Sequence, residues 1–430
     1  MNIPTTHTPL FLRHASQLVT LKGSSNAPLT GAEMEQLHII EDGSVWIEGG
    51  RIQHVGTDEE LAALYKERMA EAEVIDASGS LVTPGLVDPH THLVHAGSRE
   101  NEFEKRLQGA TYMEIMAAGG GIHSTTRATR EASHDQLLKE SRRRLDAFLL
   151  QGVTTVEAKS GYGLEWEHEK KQLEVAQELH RTHMIDIVST FMGAHAVPAD
   201  YKERPDEFVD LVMNEMIPEV ARLGLAEFND VFCERGVFTP EQSRRILEAG
   251  KKHGLAPKIH ADEIEPYAGA ELAAEVGAVS ADHLLRASEE GIKAMANAGT
   301  VAVLLPGTAF FLMADSADAR AMIDAGVPVA LSTDCNPGSS PTVSLPLIMN
   351  LGCLKMGMTP AEALTATTIN AAHAIRRGHE VGSLEKGKKA DLVLYDVSDY
   401  RSLQYAYGVN HARTVIKAGH VIVRDGVRVG

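Results

Sequence analysis

An alternation through the middle of the chain constrains its fold more than any other feature. Eight short apolar runs recur: GLVDPHTH (85–92), VTTVEAKSGYG (153–163), DIVSTFMGAH (186–195), NDVFCERG (229–236), APKIHADE (256–263), VSADHL (279–284), TVAVLLPG (300–307) and VPVALSTDCNPG (327–338). Amphipathic helical patterns lie between most of them, among them His134–Leu150, Trp166–His183 and Pro240–His253. Thr239 is placed to cap the last of these, with Pro240 in its first turn. Strand–helix repetition of this kind predicts a (β/α)8 barrel, the TIM barrel. An open doubly wound sheet would want a Gly-rich phosphate turn after its first strand, and DPHTH stands there instead.

The two ends read differently. SQLVTL, SVWIEGGRIQHVG and AEVIDASGSLVTPG near the start, and ADLVLYD and ARTVIKAGHVIVRDG near the finish, are β-branched stretches between Gly, Asn and Asp turns. Residues 1–83 and 379–430 are therefore expected to build one small β-sandwich domain together, with the barrel over 84–378.

Composition narrows the function classes. With 43% apolar and 23% charged residues, the chain carries enough apolar mass for a large core. A formal charge of −18 argues against nonspecific binding to nucleic acid or an anionic membrane, because the mean field repels phosphates. Cys233, Cys335 and Cys353 form no CxxC pair, so neither a disulfide scaffold nor a Cys-rich zinc site is expected. A reducing, cytoplasmic compartment fits that usage. No leader-like apolar segment opens the chain, and no run is long enough to span a membrane. Any metal must be held by histidine and carboxylate.

Such residues stand at the ends of the runs. His90 and His92 close the first and share one face of an extended segment. His260 and Glu263 close the fifth, His283 the sixth and Asp334 the eighth. Singly, each reads as a satisfied polar residue or a helix cap. Together they fall where barrel enzymes build their sites. Imidazoles with a carboxylate suit a divalent ion of the zinc or iron kind, with one position left for a water whose pKa would fall toward ~7. Cys335, beside Asp334, is expected to be a spectator. HSTTRATR (123–130) reads as a loop near the barrel mouth, and Arg142–Arg144 as a solvated helix face.

The series DPHTH, HADE, DH and STDCNPG, with GSLEKGKKADLVLYD after the barrel, resembles the amidohydrolase superfamily. VDPHTHLVHAGSRENEF, AKSGYGL, FMGAHAVP and STDCNPGS narrow the resemblance to its imidazolone-hydrolysing branch, over nearly the whole chain. The resemblance implies metal ligands His90, His92, His260 and Asp334. It implies that Arg99, Tyr162, His195 and Glu263 hold an anionic small-molecule substrate, and that Asn336, Gly338 and Ser339 contact the ring-opened product. Glu263, His283 and Asp334 would carry the proton chemistry, with the division between Glu263 and His283 left open. The implied reaction adds water to 4-imidazolone-5-propanoate and yields N-formimidoyl-L-glutamate. Another mononuclear amidohydrolase, a nucleobase or formimidoyl deaminase, is the alternative. Binuclear members of the superfamily place a carboxylated lysine at the end of strand four. Here that position reads VFCERG, with Cys233 and Glu234, while Lys159 ends strand two. One zinc or iron ion is therefore expected, in a homodimer that binds neither nucleic acid nor membrane.

Overall fold

A computed structural model of the chain describes residues 8–110, 114 and 120–429. Strands β1 (Leu10–Val19), β2 (Ile39–Glu48), β3 (Arg51–Thr57), β4 (Glu73–Asp76) and β5 (Leu81–Pro84) open it. Eight strands then alternate with helices: β6 (Leu86–Asp88), β7 (Val153–Lys159), β8 (Asp186–Ala194), β9 (Phe228–Cys233), β10 (Ala256–Ala261), β11 (Ser280–His283), β12 (Val301–Leu304) and β13 (Val329–Leu331). Strands β14 (Leu392–Tyr395), β15 (Ala412–Lys417), β16 (His420–Arg424) and β17 (Val427–Arg428) close it.

β6 to β13 pair in parallel and in chain order, each apolar run supplying one strand. The ring closes between β13 and β6 just past their ends. Asp334 N–H donates to His90 O (3.1 Å) and His92 N–H to Cys335 O (3.0 Å). The buried Asp88 carboxylate fastens the same seam, accepting from the Ser332 hydroxyl, from Thr333 N–H (3.2 Å) and from the Thr333 hydroxyl (2.6 Å). This is the TIM barrel expected from the alternation. The helix at Pro240–Lys252 begins as anticipated: Thr239 Oγ1 accepts from Gln242 N–H (3.2 Å), and Pro240 occupies the first turn. HSTTRATR is not a loop, since Ile122–Glu131 is a helix. Nor is Arg144 solvated: it packs against the barrel and donates to Leu93 O at 3.0 Å.

The chain ends meet in one nine-stranded mixed sheet, because β14 pairs antiparallel with β5. Its core draws on both ends, with Leu12, Leu18, Val45 and Ile52 packed with Leu392 and Ile416. Gly49 and Gly50 (φ 62° and 74°) form the two-residue turn between β2 and β3. Positive φ at both positions gives the type I′ twist that matches paired strands, which is why glycines stand there. Ala418–Gly419 repeats the turn between β15 and β16.

Candidate metal centre and active site

The rim at the C-terminal ends of the barrel strands gathers His90 and His92 beyond β6, His195 beyond β8, His260 in β10, His283 at the end of β11 and Asp334 beyond β13. All six are buried or nearly so. Ring centroids are 4.6 Å apart for His90–His260, 5.5 Å for His90–His92 and 5.1 Å for His260–His283. Asp334 Oδ1 lies 3.4 Å from His90 Nε2 and 3.9 Å from His92 Nε2. The donor atoms of His90, His92 and Asp334 fall within 4.8 Å of one another, as do those of His90, His260 and His283. His283 and Asp334 hold left-handed backbone (φ 77° and 50°), a cost of about 1–2 kcal/mol for an ordinary residue.

Hydrogen bonds fix which nitrogen of each ring is available. His90 Nδ1 meets Asp282 Oδ2 at 2.6 Å, and His260 Nδ1 meets Asp230 Oδ1 at 3.1 Å. His92 Nδ1 meets Ser160 O at 3.3 Å. A carbonyl or carboxylate can only accept, so each Nδ1 carries the proton and each Nε2 presents a lone pair. Burial, with neighbouring positive charge, holds all three rings well below the usual imidazole range and therefore neutral. The Nε2 atoms of His90 and His260 are buried without a hydrogen-bond partner among the described residues. Orphaned lone pairs of this kind are costly in a core. His90 is common to two groups of imidazole and carboxylate donors, one with His92 and Asp334 and one with His260 and His283, of the kind a divalent metal ion takes, and a carboxylate behind a ring is the usual outer support of such ligands. Asp334 Oδ2 is held apart from these donors by the Thr308 hydroxyl at 2.7 Å.

The remaining residues expected from the sequence surround this group. His283 Nε2 lies 3.6 Å from Glu263 Oε2, and its Nδ1 is buried without a partner among the described residues. Burial pushes the Glu263 carboxyl up to about 8, with Asp334 and Glu234 adding to the effect, and pushes His283 down to about 3. His195 stacks on His92 at 4.8 Å and 7°, and its Nδ1 meets Gly161 O at 3.0 Å. Tyr162 lies 5.3 Å from both those rings. Arg99 makes no ion pair with Glu100 or Glu102 among the described residues. Its Nε donates to Thr125 Oγ1 (2.7 Å), and its guanidinium covers Gly338 so closely that a Cβ there would collide with Nη1. Asn336 turns its amide into its own loop: Oδ1 accepts from Gly338 and Ser339 N–H, both at 2.8 Å, and Nδ2 donates to Asp334 O. The Cys335 thiol is buried and pushed up to about 12, which suits a spectator.

Sequence reasoning missed the groups that hold these residues. Glu169 accepts from Gly161, Gly163 and Leu164 N–H, and Gln172 accepts from Tyr162 N–H, so one helix, Trp166–Thr182, shapes the Tyr162 loop. Asp230 and Asp282 were missed as well. Their signal was a carboxylate inside an apolar strand run, where a charge is rare unless partnered.

The profile of the amidohydrolase family matches residues 81–422. In fold, the chain resembles a triazine hydrolase variant (TM-score 0.74, 18% identity, 98% of this chain and 96% of that one). It also resembles a zinc-bound adenosine deaminase from Xanthomonas campestris (TM-score 0.70, 18% identity, 98% and 94%). The chain belongs to the amidohydrolase family. Within it, the chain is 74% identical to the imidazolonepropionase of Brevibacillus brevis (97% of this chain, 99% of that one) and 73% identical to that of Geobacillus sp. strain WCH70 (same shares). At that likeness it sits among the imidazolonepropionases.

Proposed function

We propose that this chain hydrolyses 4-imidazolone-5-propanoate to N-formimidoyl-L-glutamate, a step of histidine degradation. It is a hydrolase of C–N bonds. The oxygen of water adds to the ring carbonyl carbon, the bond from that carbon to the ring nitrogen breaks, and the nitrogen leaves with a proton. The observation that carries the reading is the pair of donor clusters that share His90, one with His92 and Asp334 and the other with His260 and His283. His90, His92, His260 and Asp334 would hold one ion, zinc or iron. A second ion is not expected, because Lys159 already bonds Asp230 and Asp282, the carboxylates that with His260 make the other candidate cluster. When bound, the ion supplies Lewis acidity, polarising a carbonyl oxygen and lowering the pKa of water toward ~7.

The chain's own groups do the rest. Asp334 takes the proton from the attacking water through Oδ1 while Thr308 steadies Oδ2. Glu263, with its raised affinity for a proton, is placed to deliver one to the departing nitrogen. A cation among the histidines would draw that affinity down, toward the balance between holding and releasing that a catalytic acid needs. His283 is neutral and paired with Glu263, so it orients that carboxyl and shares its proton. His195 keeps Nδ1–H on Gly161 O, which leaves Nε2 as an acceptor for a ring N–H. Arg99 offers its fork to the propionate, and Tyr162 lends a hydroxyl. The Asn336 loop presents Gly338 and Ser339 to the product. We propose further that the enzyme works as a homodimer in the cytoplasm, where its three thiols stay reduced.

Metal-replete protein should remove the imidazolone chromophore much faster than its spontaneous decay. No acceleration, with metal bound, would overturn the reading. Wild-type activity in Asp334→Ala would overturn the assignment of that ligand.

A further inference from the structure

Beneath the rim, the barrel interior holds a second set of charges that the proposed chemistry does not touch. Lys159 and Glu157 come from β7, Asp230 from β9, Lys258 from β10 and Asp282 from β11, and every one of these side chains is buried. Lys159 Nζ lies 2.7 Å from Asp230 Oδ2, 3.2 Å from Asp282 Oδ2 and 3.2 Å from Glu157. Burial opposes its charge, but the three carboxylates outweigh that and raise its affinity for the proton. Lys258 Nζ bonds Glu157 at 2.8 Å.

Two of these carboxylates are the ones that grip the histidines. Asp282 Oδ2 is shared between Lys159 and His90 Nδ1, while its Oδ1 accepts from the Ser280 hydroxyl (2.6 Å). Asp230 divides its oxygens, Oδ2 to Lys159 and Oδ1 to His260 Nδ1. The backbone adds a third tie: Lys159 N–H donates to Thr91 O (2.9 Å), between His90 and His92. One ammonium is thus common to both carboxylate–histidine pairs. Without it, two buried negative charges face each other with only the charge of Lys258, which bonds Glu157, to offset them, and each is driven away from the ring it holds.

We propose that Lys159 is a positioning residue: by binding Asp230 and Asp282 together, it fixes the aim of His260 Nε2 and His90 Nε2 and so sets the affinity of the metal centre. The inference rests on the reading of His90 and His260 as ligands. Outer supports of metal ligands are typically worth 10–100-fold in affinity.

The test is the zinc affinity of folded protein, measured by competition with a chromogenic chelator, together with the visible spectrum of the cobalt-substituted form. Lys159→Met should bind zinc about 10–100-fold more weakly and shift the cobalt bands, with circular dichroism unchanged. A lysine that served only stability would lower the melting temperature and leave both readouts alone. The double variant Lys159→Met/Glu157→Gln removes one charge of each sign and keeps Asp230 and Asp282. It covers the case in which the single variant does not fold, and the same weakening is expected. Zinc affinity within twofold of wild type in a folded lysine variant, with an unshifted cobalt spectrum, overturns the inference and leaves the metal reading standing. A wild-type protein that binds no zinc or cobalt overturns both.

Discussion

Two layers of buried polar groups cross the barrel, and they follow opposite plans. In the rim layer, His90 and His260 keep buried nitrogens with no partner among the described residues, and Asp334 lies among imidazoles with no lysine or arginine paired to it there. In the layer below, Lys159 and Lys258 are matched by Glu157, Asp230 and Asp282 through contacts of 2.7–3.2 Å. Both layers desolvate charge, and only the lower one compensates it. The difference teaches which layer acts on something from outside: an incomplete set of donors awaits a ligand, whereas a complete one is scaffold.

That contrast breaks if substitutions in the two layers behave alike. Asp334→Ala should cost about 10³-fold or more in kcat, as large as the loss of a strong electrostatic group in an active site, and should leave the metal-free protein no less stable. Glu157→Ala should do the reverse to the fold, destabilising it by about 3–5 kcal/mol, because two buried ammonium groups lose a partner. Denaturant melts of both variants beside their steady-state rates check the pair. Equal destabilisation by the two would erase the distinction.

Arg99→Met should raise KM for the propionate substrate about 10–100-fold, the worth of one charge-assisted contact, and should spare an imidazolone lacking the carboxylate. Equal loss on both substrates would mean that Arg99 supports the loop at Gly338 and not the tail of the substrate.

The smallest effect sharpens what completeness means. Lys388, near the β-domain, is satisfied largely by neutral acceptors: Gly378 O and Ser383 Oγ at 2.5 Å, and Val381 O at 3.3 Å. Burial lowers its pKa to about 8, against a weaker pull upward from Glu385. A lysine depressed in the folded state contributes stability that is fully present above its unfolded value near 10.5 and is lost as pH falls through about 8. Wild type should therefore gain stability over Lys388→Met between pH 8 and 10.5, by on the order of 3 kcal/mol. A flat difference across that window would mean that the neutral cage compensates the charge fully.

Much of the architecture was legible in advance, since eight apolar runs became eight strands and their last residues became the rim. The ligand candidates were legible for the same reason: strand ends of a barrel converge, whatever their spacing in sequence. The helix at Ile122–Glu131 was hidden by its polarity, though it carries the Thr125 that steers Arg99. Arg144 looks like surface because its neighbours are charged, yet it lies half-buried with its guanidinium on Leu93 O. The lower layer was hardest to see. Asp230 and Lys258 stand inside runs that read simply as strands, and only the register of five strands shows that their charges meet.

If three imidazole nitrogens and Asp334 hold one ion, ring opening must depend on that ion. The direct measurement is elemental analysis of the purified protein alongside the imidazolone assay, before chelation, after it and after zinc or iron is restored. One ion per chain is expected, with loss of activity on chelation and recovery on return of the metal. Full activity in protein shown to be free of metal would contradict it.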